Sequence, residues 1–368
     1  MIRGLIIGQT PPPENGSSRM AILLVETLTY LGFEINVVSK DFSKNSGEIG
    51  KKYLAKSFAL PKLFKKVSFN LRKNPQFVVL FLTSRIPSLI VDVFLFWIAQ
   101  RKNRKVVLYI HTMGFSSLTK RSFLLALVLK RVFSKATAVV TLGAAMEQDI
   151  KAVAPHCRTV NIPNCVLPKS SKENKAAEFS TRRQVLFVSN MANSKGIDTF
   201  LSVFGSLARQ NKDICATIVG QPLYENQIAE IQSALLNSEW SNRVKFLGYQ
   251  KREVISDLFQ GSLFLLYPSR EDAQPLVILE ALAVGLPVVA SNVGMIPEIL
   301  QNGSGFTFDP GDIEGMLKAC ENLIEDKLLW ESTVTKAVQA YEARYNMEIF
   351  RSNWSLFLVG LLEIDAKH

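Results

Sequence analysis

The sequence predicts an α/β protein of two doubly wound parallel-sheet domains, and three observations carry that prediction. Its 368 residues exceed the roughly 250–300 that a single hydrophobic core serves, so two domains of ordinary size are expected. Short β-branched runs separated by helical patterns occur in two successive sets, as parallel strands joined by crossover helices would. Between the sets lies a stretch near 166–182 rich in Pro, Ser and Lys, which reads as a linker. The expected domains are therefore 1–166 and 167–343. In open sheets of this kind ligands bind beyond the carboxyl ends of the strands, so the two domains are expected to face a cleft and to carry function on the loops that follow strands.

The first strand, GLIIG, runs into GQTPPPENGSSRM, residues 8–20. Three prolines cannot continue a sheet, and the pair Asn15-Gly16 permits positive φ and a close approach of backbone to ligand. Ser17 or Ser18 is expected to cap a helix reaching about Leu31, whose first amides suit an anion or a sugar hydroxyl. An ordinary βα turn uses the same residues, and the spacing lacks the GxGxxG of dinucleotide binders. FEINVVS follows as the second strand. The longest apolar run, 77–99, approaches bilayer-spanning length. Arg85, Pro87 and Asp92 interrupt it, and a central charge costs about 2.5–3.5 kcal/mol. It is therefore read as a strand, Phe77–Leu82, and a helix, Pro87–Gln100. The next strand, KVVLYI, delivers His111 to its carboxyl end, with Gly114 to turn the chain. AVVTLG closes the first set.

The second set is QVLFVS at 184–189, then ICATIVG, RVKFLG, LFLLYPS, PVVAS and GFTFD. Lys195 and Gly196 lie in the loop after its first strand, just before a helix, where a cation can hold a diphosphate. After LFLLYPS comes the loop SREDAQ and a helix from about Pro275 to Val284, with Gly285 and Pro287 ending it. The unpaired amides of Leu276 and Val277 would face phosphate oxygens. Carboxylates beside phosphate repel it, so Asp272 and Glu280 are better used accepting hydrogen bonds from sugar and ribose hydroxyls. The plainer alternative makes Asp272 a helix cap and Glu280 a solvated side chain.

Charge is distributed unevenly: residues 1–166 carry +16 and the remainder −5, within a total of +11. Such asymmetry points to an anionic partner for the basic half. Residues 51–74 interleave lysines with Leu54, Phe58, Leu60, Leu63, Phe64, Val67, Phe69 and Leu71. That mixture suits an anionic membrane surface, with a solvated helix face and a nucleic-acid patch as alternatives. The run Gly4–Gly8 is too short for a secretory signal, so a cytoplasmic location is expected. Cys157, Cys165, Cys215 and Cys320 form no CxxC pair and only three histidines accompany them, so reduced thiols and no metal site are expected.

SREDAQPLVILEALAVGLPVVASNVGMIPEIL resembles the donor-site segment of family 4 glycosyltransferases, retaining enzymes of the GT-B fold with two Rossmann-like domains. The resemblance extends to the Pro-rich N-terminal loop, His111, the IPN segment at 162–164 and SKG at 194–196, and so covers essentially the whole chain. The family's two glutamates, seven residues apart, correspond to Asp272 and Glu280, with aspartate in the first place. Glu271, one position out of register, is the other carboxylate near that place. By this resemblance Glu280 binds the nucleotide ribose, Lys195 the diphosphate, Asp272 the transferred sugar and His111 the sugar near the reacting carbon. Asn190 stands where many relatives carry an arginine. The family's last helix returns to the first domain, and residues 344–364 have the apolar length to do so.

The implied activity is transfer of a sugar from a nucleotide sugar, UDP- or GDP-linked, to a lipid-linked or polysaccharide acceptor in bacterial envelope or capsule synthesis. The enzyme would work as a peripheral protein on the inner face of the membrane. Breaking the sugar–diphosphate bond leaves an anion, so donors aimed at the phosphate do most of the catalytic work. No Asp-x-Asp pair occurs, so no metal or other cofactor is expected. The rival readings are a sugar-nucleotide epimerase on the same double fold and a basic nucleic-acid binder. No nucleic-acid partner is expected for the transferase.

Overall fold

The computed structural model describes residues 2–12, 15–40, 53–101, 104–167 and 179–363, with side chains from 60 onward in the helix that starts at Tyr53. The chain divides into two compact units, Met1–Asn164 with Met347–His368, and Cys165–Asn346. Residues 168–178, most of the expected linker, lie outside the described residues.

The first unit alternates β1 (Arg3–Gly8), α1 (Gly16–Tyr30), β2 (Glu34–Ser39), α2 (Tyr53–Arg72), β3 (Phe77–Leu82), α3 (Ile86–Ala99) and β4 (Lys105–Ile110). It continues with α4 (Phe115–Arg121), α5 (Phe123–Lys135), β5 (Ala138–Thr141), α6 (Ala144–Lys151) and β6 (Thr159–Asn161). Its six strands are parallel in the order β2-β1-β3-β4-β5-β6. Every residue of β3 is buried, as an unbroken apolar run in a parallel sheet covered on both faces should be. The 77–99 segment is thus a strand and a helix, and no helix among the described residues is long and apolar enough to cross a membrane.

The second unit runs β7 (Gln184–Val188), α7 (Ile197–Gln210), β8 (Cys215–Val219), α8 (Gln227–Leu235), β9 (Val244–Gly248), α9 (Arg252–Gly261) and β10 (Ser262–Tyr267). There follow α10 (Leu276–Ala283), β11 (Val288–Ser291), α11 (Ile296–Ile299), β12 (Phe306–Phe308), α12 (Ile313–Glu325) and α13 (Lys327–Arg344). The order β12-β11-β10-β7-β8-β9 is again all parallel. Its core packs Phe187 of β7, Phe200 and Phe204 of α7 and Trp240 of the α8–β9 connection with Met316 and Leu323 of α12. The last helix, α14 (Met347–Leu362), belongs to the first unit. There Trp354 lies 5.3 Å from the Tyr109 ring and the Arg351 guanidinium sits 4.1 Å from the ring of Tyr30.

Two local expectations change. Neither Asn15 nor Gly16 adopts positive φ: Asn15 is extended at −148° and is the cap of α1, and Gly16 is its first residue. Asn15 accepts from the Ser18 amide at 2.9 Å while Ser18 Oγ accepts from the Asn15 amide at 2.9 Å, a reciprocal box that requires an extended cap. In the basic stretch 51–74, Leu63, Val67 and Leu71 are buried, Leu60 and Phe64 are half-buried and Phe69 is exposed, so part of its apolar seam serves the core. The side chains of Leu54 and Phe58 lie outside the described residues.

Candidate functional site

In the second sheet the chain leaves β7 toward β8 on one side and β10 toward β11 on the other. The loops after β7 and β10 therefore diverge at a topological switch point, where open α/β sheets leave room for a ligand. The β7 loop ends in a short turn, Asn193–Lys195, and Gly196 at φ +74°. A Cβ at Gly196 would stand 1.9 Å from the Pro268 carbonyl oxygen, so only glycine lets the β7 loop lie against the β10 loop.

That contact brings Lys195 to Asp272. Nζ of Lys195 lies 2.6 Å from Asp272 Oδ2 and donates to the Glu271 carbonyl at 2.8 Å. Tyr267, the last residue of β10, donates its hydroxyl to the same Oδ2 at 2.7 Å. Burial, with the Asp272 carboxylate beside it, raises the Tyr267 phenol well above its ordinary range, so it remains a hydrogen-bond donor at any physiological pH. The side chain of Glu271 points to solvent and is exposed. Of the two neighbouring acids, Asp272 is the one that meets Lys195. Arg270 fastens the loops from behind, pairing with both oxygens of Asp198 at 2.9 and 2.6 Å while its amide donates to the Ser194 carbonyl at 2.8 Å.

Helix α10 starts beside this pair. Pro275 is its cap residue, no side chain caps it, and no acid lies in its first turn. Proline has no amide to lose and fixes an extended entry, so the first free amides are those of Leu276 and Val277. Gly294 after β11 closes on the backbone of the same loop: a Cβ there would meet the Asp272 carbonyl at 2.1 Å. Glu280, one turn into α10 and partly buried, is in an ion pair with Arg252 at the start of α9. Asn190 is exposed in the β7 loop.

The first unit's expected residues lie at the carboxyl end of their own sheet. Asn15 and Gly16 begin α1, with the Asn15 carboxamide donating to Gln9 at 3.3 Å. His111 follows β4; its ring stacks on Phe81 at 5.1 Å and meets Tyr109 edge-on at 4.2 Å. Its Nε2 is buried with no partner among the described residues. Burial pushes its pKa down to about 3, so the imidazole is neutral at physiological pH.

The structure thus joins Lys195, Asp272 and the α10 amides of Leu276 and Val277 in one place and puts Glu280 on the same helix. Tyr267, Arg252 and Arg270 complete it. None was signalled locally, since each acts on a residue between 5 and 77 positions away. Among the described residues no three His, Cys, Asp or Glu side chains gather as metal ligands. A lysine, an uncapped helix start and hydroxyl-accepting carboxylates can together hold an anion flanked by hydroxyl groups.

Known proteins resemble this chain in sequence and in fold. Residues 168–342 match the model described as glycosyl transferases group 1. An uncharacterized glycosyltransferase of Haemophilus influenzae is 29% identical over 194 residues, 52% of each chain. The amylovoran biosynthesis glycosyltransferase AmsK of Erwinia amylovora is 27% identical over 173 residues, 45% of this chain and 42% of that one. The chain thus spans about half the length of the curated relatives it matches. The crystal structure of Anabaena HepE in complex with UDP superposes with a TM-score of 0.75 at 18% identity, covering 98% of this chain and all of that one. Both units have the parallel α/β architecture of the GT-B fold, and residues 168–342 are similar to the glycosyl transferases group 1 family.

Proposed function

We propose that this chain is a retaining, metal-independent family 4 glycosyltransferase that moves a sugar from a nucleotide diphosphate to a lipid-linked or polysaccharide acceptor. One observation carries the reading: the ion-paired Lys195 and Asp272 span the switch point of the second sheet beside the uncapped start of α10. A diphosphate there takes Lys195 and the Leu276 and Val277 amides as its donors. Tyr267 keeps hold of Asp272, which then accepts from hydroxyls of the transferred sugar. Glu280 exchanges Arg252 for the ribose hydroxyls, and the released guanidinium supplies the positive charge that Asn190 lacks. The acceptor hydroxyl oxygen bonds to the anomeric carbon on the face that the diphosphate leaves and gives its proton to the departing phosphate oxygen. As the bond from the anomeric carbon to that oxygen breaks, its electron pair goes to the leaving group, and these fixed donors stabilise the charge that develops. His111 contributes contact and hydrogen bonding as a neutral ring.

HepE has been solved with UDP and with UDP-glucose, and AmsK is named for amylovoran biosynthesis; the first supports the donor class proposed and the second a biosynthetic acceptor. A cytoplasmic enzyme attached to the membrane surface fits a lipid-carried acceptor. The test is a thermal-shift screen against UDP- and GDP-sugars, since a ligand at a hundred times its dissociation constant stabilises by about 2.7 kcal/mol. Stabilisation by one family of donors, lost in Lys195→Ala, is the expected result. No shift with any of them would overturn the assignment.

A further inference from the structure

The first unit presents a surface that its own fold leaves unexplained. Residues 49–146 contain 18 lysines and arginines and a single acid, Asp92. That acid is buried, with its carboxylate held by Lys40 Nζ at 2.6 Å and the Thr83 amide at 3.2 Å, and so offsets nothing at the surface. The connections from β2 to β3, β3 to β4 and β4 to β5 all advance the same way across the sheet. Right-handed crossovers therefore put α2, α3 and α5 on one face.

Helix α3 is apolar on both of its sides. Leu89, Leu95 and Phe96 are buried, while Ile86, Ile90 and Phe94, four residues apart, form an exposed stripe. A helix apolar all round normally lies inside a protein or at a membrane. Helix α5 repeats the arrangement: Phe123, Leu124 and Leu127 are 78, 72 and 50% exposed. Exposed Lys120 and Arg121 precede them and exposed Lys130 and Arg131 follow. Contiguous apolar side chains rimmed by charge mark an interaction surface.

We propose that the α3–α5 face seats the protein on an anionic bilayer, a deepening that rests on the lipid-linked acceptor of the proposed function. The basic rim supplies long-range attraction to anionic headgroups, and the aromatic and aliphatic side chains enter the boundary between headgroups and acyl chains. Charge decides against a second copy of this chain as the occupant. A two-fold pairing would bring two faces of the same sign together without an acid between them.

The test is pelleting with phosphatidylglycerol-containing vesicles against pure phosphatidylcholine vesicles, at low and high salt, alongside thermal shift with UDP and GDP. The parent is expected to pellet with the anionic vesicles, to be released by salt and to ignore the neutral ones. Phe123→Ser/Leu124→Ser and Lys130→Glu/Arg131→Glu should each weaken binding by at least about tenfold, with nucleotide shifts unchanged as proof of folding. Equal pelleting with neutral vesicles, or variants that bind as the parent does, would overturn the proposal. So would a dimer in sedimentation analysis that the Phe123→Ser/Leu124→Ser change dissociates. A protein that binds vesicles and ignores both nucleotides would sink the donor assignment and leave this surface standing; the reverse result would sink the surface alone.

Discussion

Helices α4 and α10 both begin beyond the carboxyl end of a central strand, and their first turns are treated in opposite ways. At α4, Asp149 of α6 takes the amides of Gly114, Phe115 and Ser116 at 2.8, 3.0 and 3.0 Å and the Ser116 hydroxyl besides. At α10 no side chain caps the start, and the nearest charge pair presents a lysine. The same four orphan donors exist at any helix start. Where the protein fills them with its own carboxylate the element is structural, and where it leaves them beside a cation they are available to an anionic ligand.

The sharpest way to break that contrast is to remove the cation. Lys195→Ala should lower turnover by about 10²–10³, the usual effect of losing one donor aimed at developing charge, and should weaken UDP or GDP binding in parallel. The melting temperature should change little, because a partly exposed ion pair is worth about 0–1 kcal/mol to folding. Undiminished turnover would mean that the α10 start is not where the diphosphate sits. The converse experiment belongs to α4. Asp149→Asn leaves charge-assisted bonds to three amides weakened and should destabilise the first unit by about 2 kcal/mol, with nucleotide affinity unaltered. If affinity fell with stability intact, α4 would be a binding element too.

The two helix starts also differ in how far they could be read from sequence. Helix α10 was legible because its signals are local: Pro275 before it, Gly285 after it at φ +71°, and the apolar run between. The strands were legible for the same reason, each being a short β-branched run, and so was the division of 77–99 into strand and helix. Asp149 was not foreseen. It lies 33 to 35 residues from the amides it fills, and nothing in KAVAP or EQDIK distinguishes it from a solvated acid. Arg252 and Tyr267 were missed similarly, because their roles exist only once β9, β10 and α10 are side by side. The capping box at Asn15 was misread since serines at 17 and 18 are equally good caps in isolation; the extended backbone of Asn15 decides between them.

His111, just upstream of α4, tests the same end of the first sheet through pH. Its pKa is pushed down to about 3 from 6.5 by burial, so unfolding takes up a proton anywhere between those values. Stability therefore falls as the pH drops below about 6.5, by at most about 1.4 kcal/mol per unit for the one proton taken up. His111→Phe, which can keep the stack on Phe81, should flatten that part of the curve in urea unfolding between pH 7 and 5. A parent and variant with the same slope would show that the ring reaches solvent when protonated.

The smallest expected effect is the one that most directly converts α10 into α4. Pro275→Ser places a hydroxyl at the cap position, where it can accept from the second or third amide of the helix as serine commonly does. A new cap contributes about 1 kcal/mol to stability, partly offset because proline's restriction of the unfolded chain is lost. The net change in melting temperature should be small and positive or near zero. Nucleotide affinity should nevertheless fall several-fold, since the diphosphate then competes with an internal acceptor for the same amides. Calorimetric titration of the variant with UDP and GDP decides the matter. Affinity equal to the parent's would mean that these amides are not ligand donors, and the contrast between the two helix starts would reduce to a difference in packing.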